Sequence, residues 1–367
     1  VLKIIQICSR PKGSVTDMAL AAAGGFAKAG HVVTNLFLSG PIDNPLAKRF
    51  ASRCVNDADA LAQPGRRAAV RQLRRMLRQE AGDVVIAHRY HPCKLAAQAA
   101  RGISLKRKVV VFHGIGNLRR WRRKLFAGLF LRDWRFAGVS RAVVEDIRAS
   151  GAVCLNRRGA HQVSNGLDIK ATAAAQLDRK DARQRLGLPP DGFIFGHVGR
   201  LSDQKNQKVL IAAYADIVAR MPSSRLVFIG KGSREAELRS LVATHGLCDH
   251  VLFKGFVPHA QRYLKAFDIF LFPSRSEAFG LALLEAMIAR VPVIVSHVEG
   301  IRELVGPYPF TIQPDDVQTW ASQMAAMATK PAGERDQIAG GLYARAAKRY
   351  DISRLEEAYL KVIAGVS

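Results

Sequence analysis

Short apolar runs of three to seven residues recur along this chain, separated by longer stretches in which apolar positions return every three or four residues. The short runs read as buried parallel strands and the longer stretches as helices that cover them. Strand candidates in the first half are 2–8, 32–38, 84–88, 109–113, 136–140 and 161–164. In the second half they are 193–198, 226–230, 251–254, 268–272, 293–296 and 310–313. Between the halves, 168–191 is polar, carries a helical stretch and ends in Leu188-Pro189-Pro190-Asp191-Gly192, a breaker sequence that suits a boundary. The pattern predicts an α/β chain of two tandem doubly wound, Rossmann-like domains, 1–170 and 171–349, with a last helix in 350–367 packing back on the first. Ligands of such sheets bind beyond the carboxyl ends of the strands. The chemistry is therefore expected in a cleft across which the two domains face each other.

A length of 367 residues suits two cores of this kind. No run of about 18 apolar residues offers a membrane span, and residues 1–8 lack the pattern of a signal peptide. Five scattered cysteines, an odd number, indicate thiols in a reducing, cytoplasmic setting and no disulfide framework. The net charge of +26 is unevenly spread: residues 1–170 hold 31 Lys and Arg against 10 Asp and Glu, the remainder 25 against 20. The first half is thus a polycation suited to anionic surfaces.

The segment Phe272-Pro273-Ser274-Arg275-Ser276-Glu277-Ala278-Phe279-Gly280-Leu281-Ala282-Leu283-Leu284-Glu285 says most about function. A strand stops at Pro273, and from Leu281 to Ala289 a helix is apolar at every position but Glu285. A carboxylate there costs several kcal/mol, roughly, unless it is paired, so a polar partner such as a sugar hydroxyl is expected beside it. Ala278, Phe279, Gly280 and Leu281 would turn backbone N–H groups and the positive helix end toward one point, a place for a diphosphate. After the strand at 193–198, Gly199 permits close approach of a ligand, and Arg200 and Lys205 can neutralise a diphosphate leaving group.

Taken together, Gly199-Arg200 with Lys205-Asn206, Gly230-Lys231-Gly232-Ser233, Phe253-Lys254-Gly255-Phe256-Val257, Glu277 to Glu285, Gly300 with Glu303, and Ser164-Asn165-Gly166-Leu167-Asp168 resemble the family 4 retaining glycosyltransferases of the GT-B fold. The first half resembles them more loosely, through Gly13, Gly30-His31-Val32-Val33, His113-Gly114 and Ser140 before the helix at 142–147. The resemblance implies that Arg200 and Lys205 bind the donor diphosphate and stabilise its growing charge. It implies that Glu277 contacts the donor sugar, that the amides of Phe279, Gly280 and Leu281 hold sugar and diphosphate, and that Glu285 binds the ribose hydroxyls. Gly13 would sit where donor phosphate meets acceptor, and His113 would touch the transferred sugar or the acceptor. The loop Arg10-Pro11-Lys12-Gly13-Ser14 departs from the family pattern in having one glycine where many members have two. Catalysis would rest on Arg200, Lys205, Glu277 and His113, by front-face transfer with retention in which the departing diphosphate helps take the acceptor proton. Two glutamates eight apart would lie about 12 Å apart along a helix, too far for the carboxylate pair of a glycoside hydrolase. They read as binding groups.

Three weaker signals remain. His88-Arg89-Tyr90-His91-Pro92-Cys93 has metal-binding residue types without a second ligand pair, so His88 is read as an acceptor contact at a strand end. Asp57-Ala58-Asp59 matches a metal signature by letters only and follows no strand candidate, and no cofactor or essential metal is expected. Two basic segments interleave arginines with apolar residues: Arg66 to Arg78 around Val70, Leu73 and Leu77, and Arg119, Arg120, Arg122 and Arg123 around Trp121. Either could lie on anionic lipid, or its apolar stripe could pack inward under solvated arginines. The expectation is a hexosyltransferase peripheral on the cytoplasmic face of the inner membrane, using a nucleotide sugar, UDP-linked by preference, on an anionic lipid-linked acceptor such as lipopolysaccharide core. One alternative is a GT-B enzyme acting on a soluble sugar or sugar phosphate. Another is a basic nucleic-acid-binding protein, disfavoured by few aromatics and no recognisable binding motif.

Overall fold

The computed structural model describes residues 1–55, 65–152 and 159–364. Asp57, Asp59 and Cys154 lie outside the described residues. Runs rich in Val, Ile and Phe form the strands, because β-branched and aromatic side chains pack well on a pleated surface covered on both faces. In the first unit these are β1 (Lys3–Cys8), β2 (Val32–Phe37), β3 (Ala51–Cys54), β4 (Val84–His88), β5 (Arg107–Phe112), β6 (Arg135–Gly138) and β7 (Ala160–Gln162). In the second they are β8 (Ile194–Val198), β9 (Arg225–Ile229), β10 (Val251–Phe253), β11 (Ile269–Phe272), β12 (Val293–Ser296) and β13 (Thr311–Ile312). Every residue of β4, β11 and β12 is buried, as their largely apolar sequences, which end in His88 and Ser296 in β4 and β12, require.

Contacts divide the chain into Val1–Gly166 with Ile352–Ser367, and Leu167–Asp351. The first unit holds a parallel sheet in the order β3-β2-β1-β4-β5-β6-β7. The second holds another in the order β10-β9-β8-β11-β12-β13. Strand order reverses between β1 and β4 in one sheet and between β8 and β11 in the other. These switch points leave open crevices at the carboxyl ends of the strands.

All twelve expected strands are present, with β5 starting two residues earlier than expected and β13 shortened. The thirteenth, β3, was not expected. Its sequence Ala-Ser-Arg-Cys has no apolar run, and it exists as an edge strand through its register with β2. The polar stretch 168–191 carries two short helices, Ile169–Ala174 and Arg179–Arg185, and belongs to the second unit. Arg183, 1% exposed, is held there by Asp268 Oδ2 at 2.9 Å and the Ala266 carbonyl at 3.0 Å. Helix Ile352–Ala364 lies against helix Ser14–Lys28. The contact uses Phe26 edge-on to Tyr359 at 5.7 Å and Lys28 paired with Glu356 at 3.1 Å. It also needs Gly25, where a Cβ would fall 2.2 Å from the Glu356 side chain.

The two basic segments behave differently. Helix Arg66–Glu80 buries Ala69, Leu73, Met76 and Leu77, so its apolar stripe packs into the unit; Arg66, Arg67, Arg71, Arg75 and Arg78 are exposed, while Arg74 donates to the Gln98 and Ala99 carbonyls. Helix Trp121–Phe130 buries Phe126 and Ala127 but leaves Trp121, Leu125 and Leu129 at 67%, 55% and 60% exposure. These three stand four residues apart on one helical face.

Candidate functional site

At the switch point of the second unit, the loop after β8 carries Gly199, Arg200 and Lys205, and the loop after β11 carries Glu277 to Gly280. Lys205 Nζ joins the two loops by an ion pair with Glu277 Oε2 at 2.5 Å, and it also lies 4.6 Å from the Phe272 ring centroid. Backbone and amide contacts repeat the link: Arg275 N–H donates to Gln204 O, and the Gln204 amide donates to Ser276 O. Arg200 is exposed and its guanidinium has no partner among the described residues. Close packing of backbone on backbone requires glycine here. A Cβ at Gly230 would fall 2.0 Å from Gly199 O, and one at Gly300 would fall 2.2 Å from Glu277 O.

Helix Leu281–Ile288 starts at Gly280, whose φ of 95° and ψ of 60° favour glycine. Phe279, 3% exposed, packs edge-on to Tyr350 and anchors the turn. The N–H groups of Phe279, Gly280 and Leu281 have no hydrogen-bond partner among the described residues. One helical turn further on, Glu285 is half-buried, and no described residue donates to its carboxylate or pairs with it. Burial alone pushes its pKa up to about 7. An unpaired carboxylate, open amides and two cations therefore lie in the segments that follow the neighbouring strands β8 and β11.

In the first unit, Gly13 opens helix Ser14–Lys28 with φ of 102°, a conformation that favours glycine. In the sheet order β1, β4 and β5 are neighbours, so Gly13, His88 and His113 follow or end adjacent strands. His113 Nε2 lies 3.1 Å from His88 Nδ1, and His88 Nε2 lies 3.0 Å from Gln6 Oε1. Burial brings the His88 pKa down to about 3. The His113 pKa is held well below its ordinary value by burial first, then by His88 and Arg89. Both rings are neutral at physiological pH.

A model described as "Glycosyl transferases group 1" matches residues 178–341, and one described as "Glycosyltransferase Family 4" matches residues 15–171. The chain belongs to the family 4 glycosyltransferases. It is 28% identical to phosphatidyl-myo-inositol mannosyltransferase of Mycolicibacterium smegmatis over 78% of this chain and 72% of that protein. To the lipopolysaccharide core biosynthesis mannosyltransferase LpsB of Rhizobium meliloti it is 32% identical, over 39% of this chain and 42% of the relative. The crystal structure of Anabaena HepE in complex with UDP and glucose superposes with a TM-score of 0.82 at 22% identity, covering 99% of this chain and 100% of that one. The fold is accordingly GT-B. The chain spans about half the length, or less, of curated relatives it matches at more than 30% identity, 49% of one and 38% of another.

Within this family 4 chain, the residues singled out from the sequence fall into two groups. Gly199, Arg200, Lys205, Glu277, Ala278, Phe279, Gly280, Leu281 and Glu285 converge on the switch point of the second unit. Gly13 and His113 lie at the strand ends of the first. His88, expected on the acceptor side, is corrected by the structure. It is fully buried, and both ring nitrogens are bonded to protein, so neither is left for a ligand.

The structure also reveals residues that the sequence did not single out. His197 donates from Nδ1 to Leu271 O at 2.8 Å and accepts from the Gln207 amide at 3.1 Å, and that amide also donates to Arg200 O at 2.8 Å. Burial first lowers the His197 pKa to about 4, keeping the ring neutral, so this network fixes the backbone turn that presents Arg200. Arg89 has φ of 73° and ψ of 167°, a region otherwise nearly reserved for glycine, at a cost of roughly 1–3 kcal/mol. It is exposed beside His113 at the end of β4, where a cation held in a strained backbone is a binding-site feature. The only sequence signal for it was its position after a strand. Among the described residues, no three His, Cys, Asp or Glu side chains gather to hold a metal ion.

Proposed function

We propose that this chain is a retaining, metal-independent glycosyltransferase that moves a hexose from a nucleotide sugar, UDP-linked by preference, to an anionic glycolipid acceptor such as lipopolysaccharide core. The observation that carries the reading is Glu285, a carboxylate without a protein partner set one helical turn beyond open amides. Vicinal ribose hydroxyls donating to it would supply the missing hydrogen bonds, while the diphosphate lies toward Phe279 to Leu281, Arg200 and Lys205. HepE, which shares the fold, was crystallised with UDP and glucose. Glu277 would meet donor-sugar hydroxyls with the oxygen not committed to Lys205. As the glycosidic bond breaks, charge gathers on the diphosphate, where the two cations stabilise it and the diphosphate oxygen takes the acceptor proton.

A panel of nucleotides in a thermal-shift assay tests the reading. UDP at about 100 times its dissociation constant is expected to stabilise the protein by about 2.7 kcal/mol. No shift with any nucleoside diphosphate would exclude the donor site. Since Arg200 and Lys205 meet the diphosphate charge, EDTA is expected to leave turnover intact, and loss of activity restored by Mg²⁺ or Mn²⁺ would overturn metal independence.

The acceptor and membrane reading is supported by helix Trp121–Phe130. Its exposed stripe of Trp121, Leu125 and Leu129 is flanked by Arg119, Arg120, Arg122, Arg123 and Lys124, the composition of an interfacial helix on anionic lipid. Arg119 and Arg123 also serve the fold, through Asp146 at 3.3 Å and the Asn117 carbonyl at 3.0 Å. Arg120→Ser/Trp121→Ser/Arg122→Ser is therefore the cleaner probe. Binding to vesicles containing anionic phospholipid is expected to exceed binding to neutral vesicles and to fall as salt rises, since screening acts over about 8 Å at physiological ionic strength. The triple variant should lose this binding and keep its nucleotide affinity. Equal flotation with acidic and neutral vesicles would return the acceptor to soluble sugars. No helix of the described residues is long and apolar enough to cross a membrane.

A further inference from the structure

One hydrogen-bond chain runs from the first helix to the open edge of the first-unit site, and each proton in it can be placed. It starts at the Ala19 carbonyl, which can only accept. Gln6 Nε2 lies 2.7 Å from that oxygen and 3.1 Å from Asn35 Oδ1, so the Gln6 amide nitrogen points there and its oxygen faces His88. Flipping the amide would set two carbonyl oxygens against each other at 2.7 Å. Gln6 Oε1 therefore accepts from His88 Nε2–H at 3.0 Å. His88 is fully buried and neutral, so its Nδ1 carries no proton and must accept. The donor, 3.1 Å away, is His113 Nε2–H. A neutral His113 with its proton on Nε2 has a bare lone pair on Nδ1, and no described residue takes it.

We propose that Gln6 and His88 are positioning residues that lock His113 into its Nε2–H tautomer, so that Nδ1 reads a sugar hydroxyl as an obligate acceptor. A hydroxyl satisfies that lone pair, whereas a methyl ether or a carboxylate at the same point offers no proton and leaves it unpaired. The site thereby selects a hydroxylated hexose over its O-methylated or uronate counterpart. This selectivity rests on the sugar-transfer reading above, but the tautomer does not. Gln6 is a polar residue in the middle of β1, between Ile5 and Ile7, and it is fully buried. A side chain there with no chemical duty would be more stable as an aliphatic one.

The first measurement is the long-range ¹H–¹⁵N spectrum of protein labelled at histidine, which reads the protonation of each ring nitrogen. His88 and His113 are both expected as neutral Nε2–H tautomers between pH 6 and 8. A proton on His113 Nδ1 in the parent protein overturns the proposal, whatever reaction the protein catalyses. The second uses Gln6→Met, which fills the same volume but removes the acceptor for His88 Nε2–H. His88 can then move its proton to Nδ1 and donate to His113, and the His113 signal is expected to shift toward the Nδ1–H form. The third uses donor and acceptor sugars O-methylated at one hydroxyl at a time. In the parent, methylation of one hydroxyl is expected to lower kcat/KM at least 100-fold, and in Gln6→Met by less than tenfold. If every methyl ether is tolerated, or the discrimination survives unchanged in Gln6→Met, the hydroxyl-reading role is wrong. If no nucleotide sugar is turned over at all, the transferase reading fails while the histidine spectrum still decides the tautomer.

Discussion

Lys205→Ala is expected to lower kcat by about 10²–10³-fold while weakening nucleoside diphosphate binding by less than tenfold. The asymmetry follows from where charge appears. On the proposed reading, the diphosphate of the bound donor is already anionic, and bond cleavage would add a further negative charge beside Lys205, so the lost interaction would be larger in the transition state than in the ground state. Lys205 also neutralises Glu277 at 2.5 Å, and both side chains are mostly buried, so its removal strands a carboxylate. Some loss of thermal stability is therefore expected from Lys205→Ala. The companion Arg200→Ala separates the two effects. Arg200 is exposed and has no partner among the described residues, so its replacement should leave the melting temperature unchanged and still depress kcat. Stopped-time assays with saturating donor, beside equilibrium titration with nucleotide, would measure both quantities. Unchanged turnover in both variants would remove the two cations from the mechanism.

The second large effect belongs to Glu285, and its sign depends on pH. A carboxyl whose pKa lies near 7 in the fold, against about 4.5 for an unperturbed glutamate, binds more protons folded than unfolded between those values. Its contribution is without penalty at low pH and grows unfavourable as pH rises from about 4.5 to 7, reaching an upper bound of about 3 kcal/mol. Glu285→Gln is therefore expected to stabilise the ligand-free protein at pH 8 and to have little effect at pH 4.5, measurable by denaturant unfolding. Nucleotide binding should show the opposite balance. Ribose hydroxyls that donate to the carboxylate favour its ionised form, so binding releases a proton, and affinity should rise from pH 5.5 to 7.5. Glu285→Gln should abolish that component, leaving only the titration of the diphosphate itself. Losing a hydrogen bond to a charged group, about 1.5–3 kcal/mol, corresponds to a dissociation constant raised roughly 10- to 100-fold. Calorimetry in buffers of different ionisation enthalpy would count the proton. If Glu285→Gln binds nucleotide as the parent does, the ribose assignment is wrong.

Much of this was written locally in the chain. Most strands of the described residues carry their own apolar runs, β3 and β7 being the exceptions, because a strand buried on both faces has no polar side to show. The switch-point loops were legible too, since Gly199, Gly280 and the Glu277 to Glu285 segment combine residue types that few structural needs bring together. The pairing of strands was not legible: β3, with the sequence Ala-Ser-Arg-Cys, is a strand only because β2 offers it a free edge.

What only the tertiary structure decided are the facts that depend on partners distant in sequence. Periodicity placed Leu73 and Leu77 on one face of the first basic helix and Trp121, Leu125 and Leu129 on one face of the second. It could not say that the first face is covered and the second left bare. Burial of Glu285 could be read from its apolar neighbours. The lack of any partner could not, because a salt bridge from elsewhere in the chain would have looked the same in sequence. His88 is the clearest instance. Its place at the end of a strand pointed outward to an acceptor, yet residues 25 and 82 positions away, His113 and Gln6, occupy both of its nitrogens. Local sequence sets which segments are apolar and which face of an element is apolar. The proton on an imidazole and the charge on a buried carboxyl are set by whatever the fold brings within about 3 Å, and so they belong to the tertiary structure.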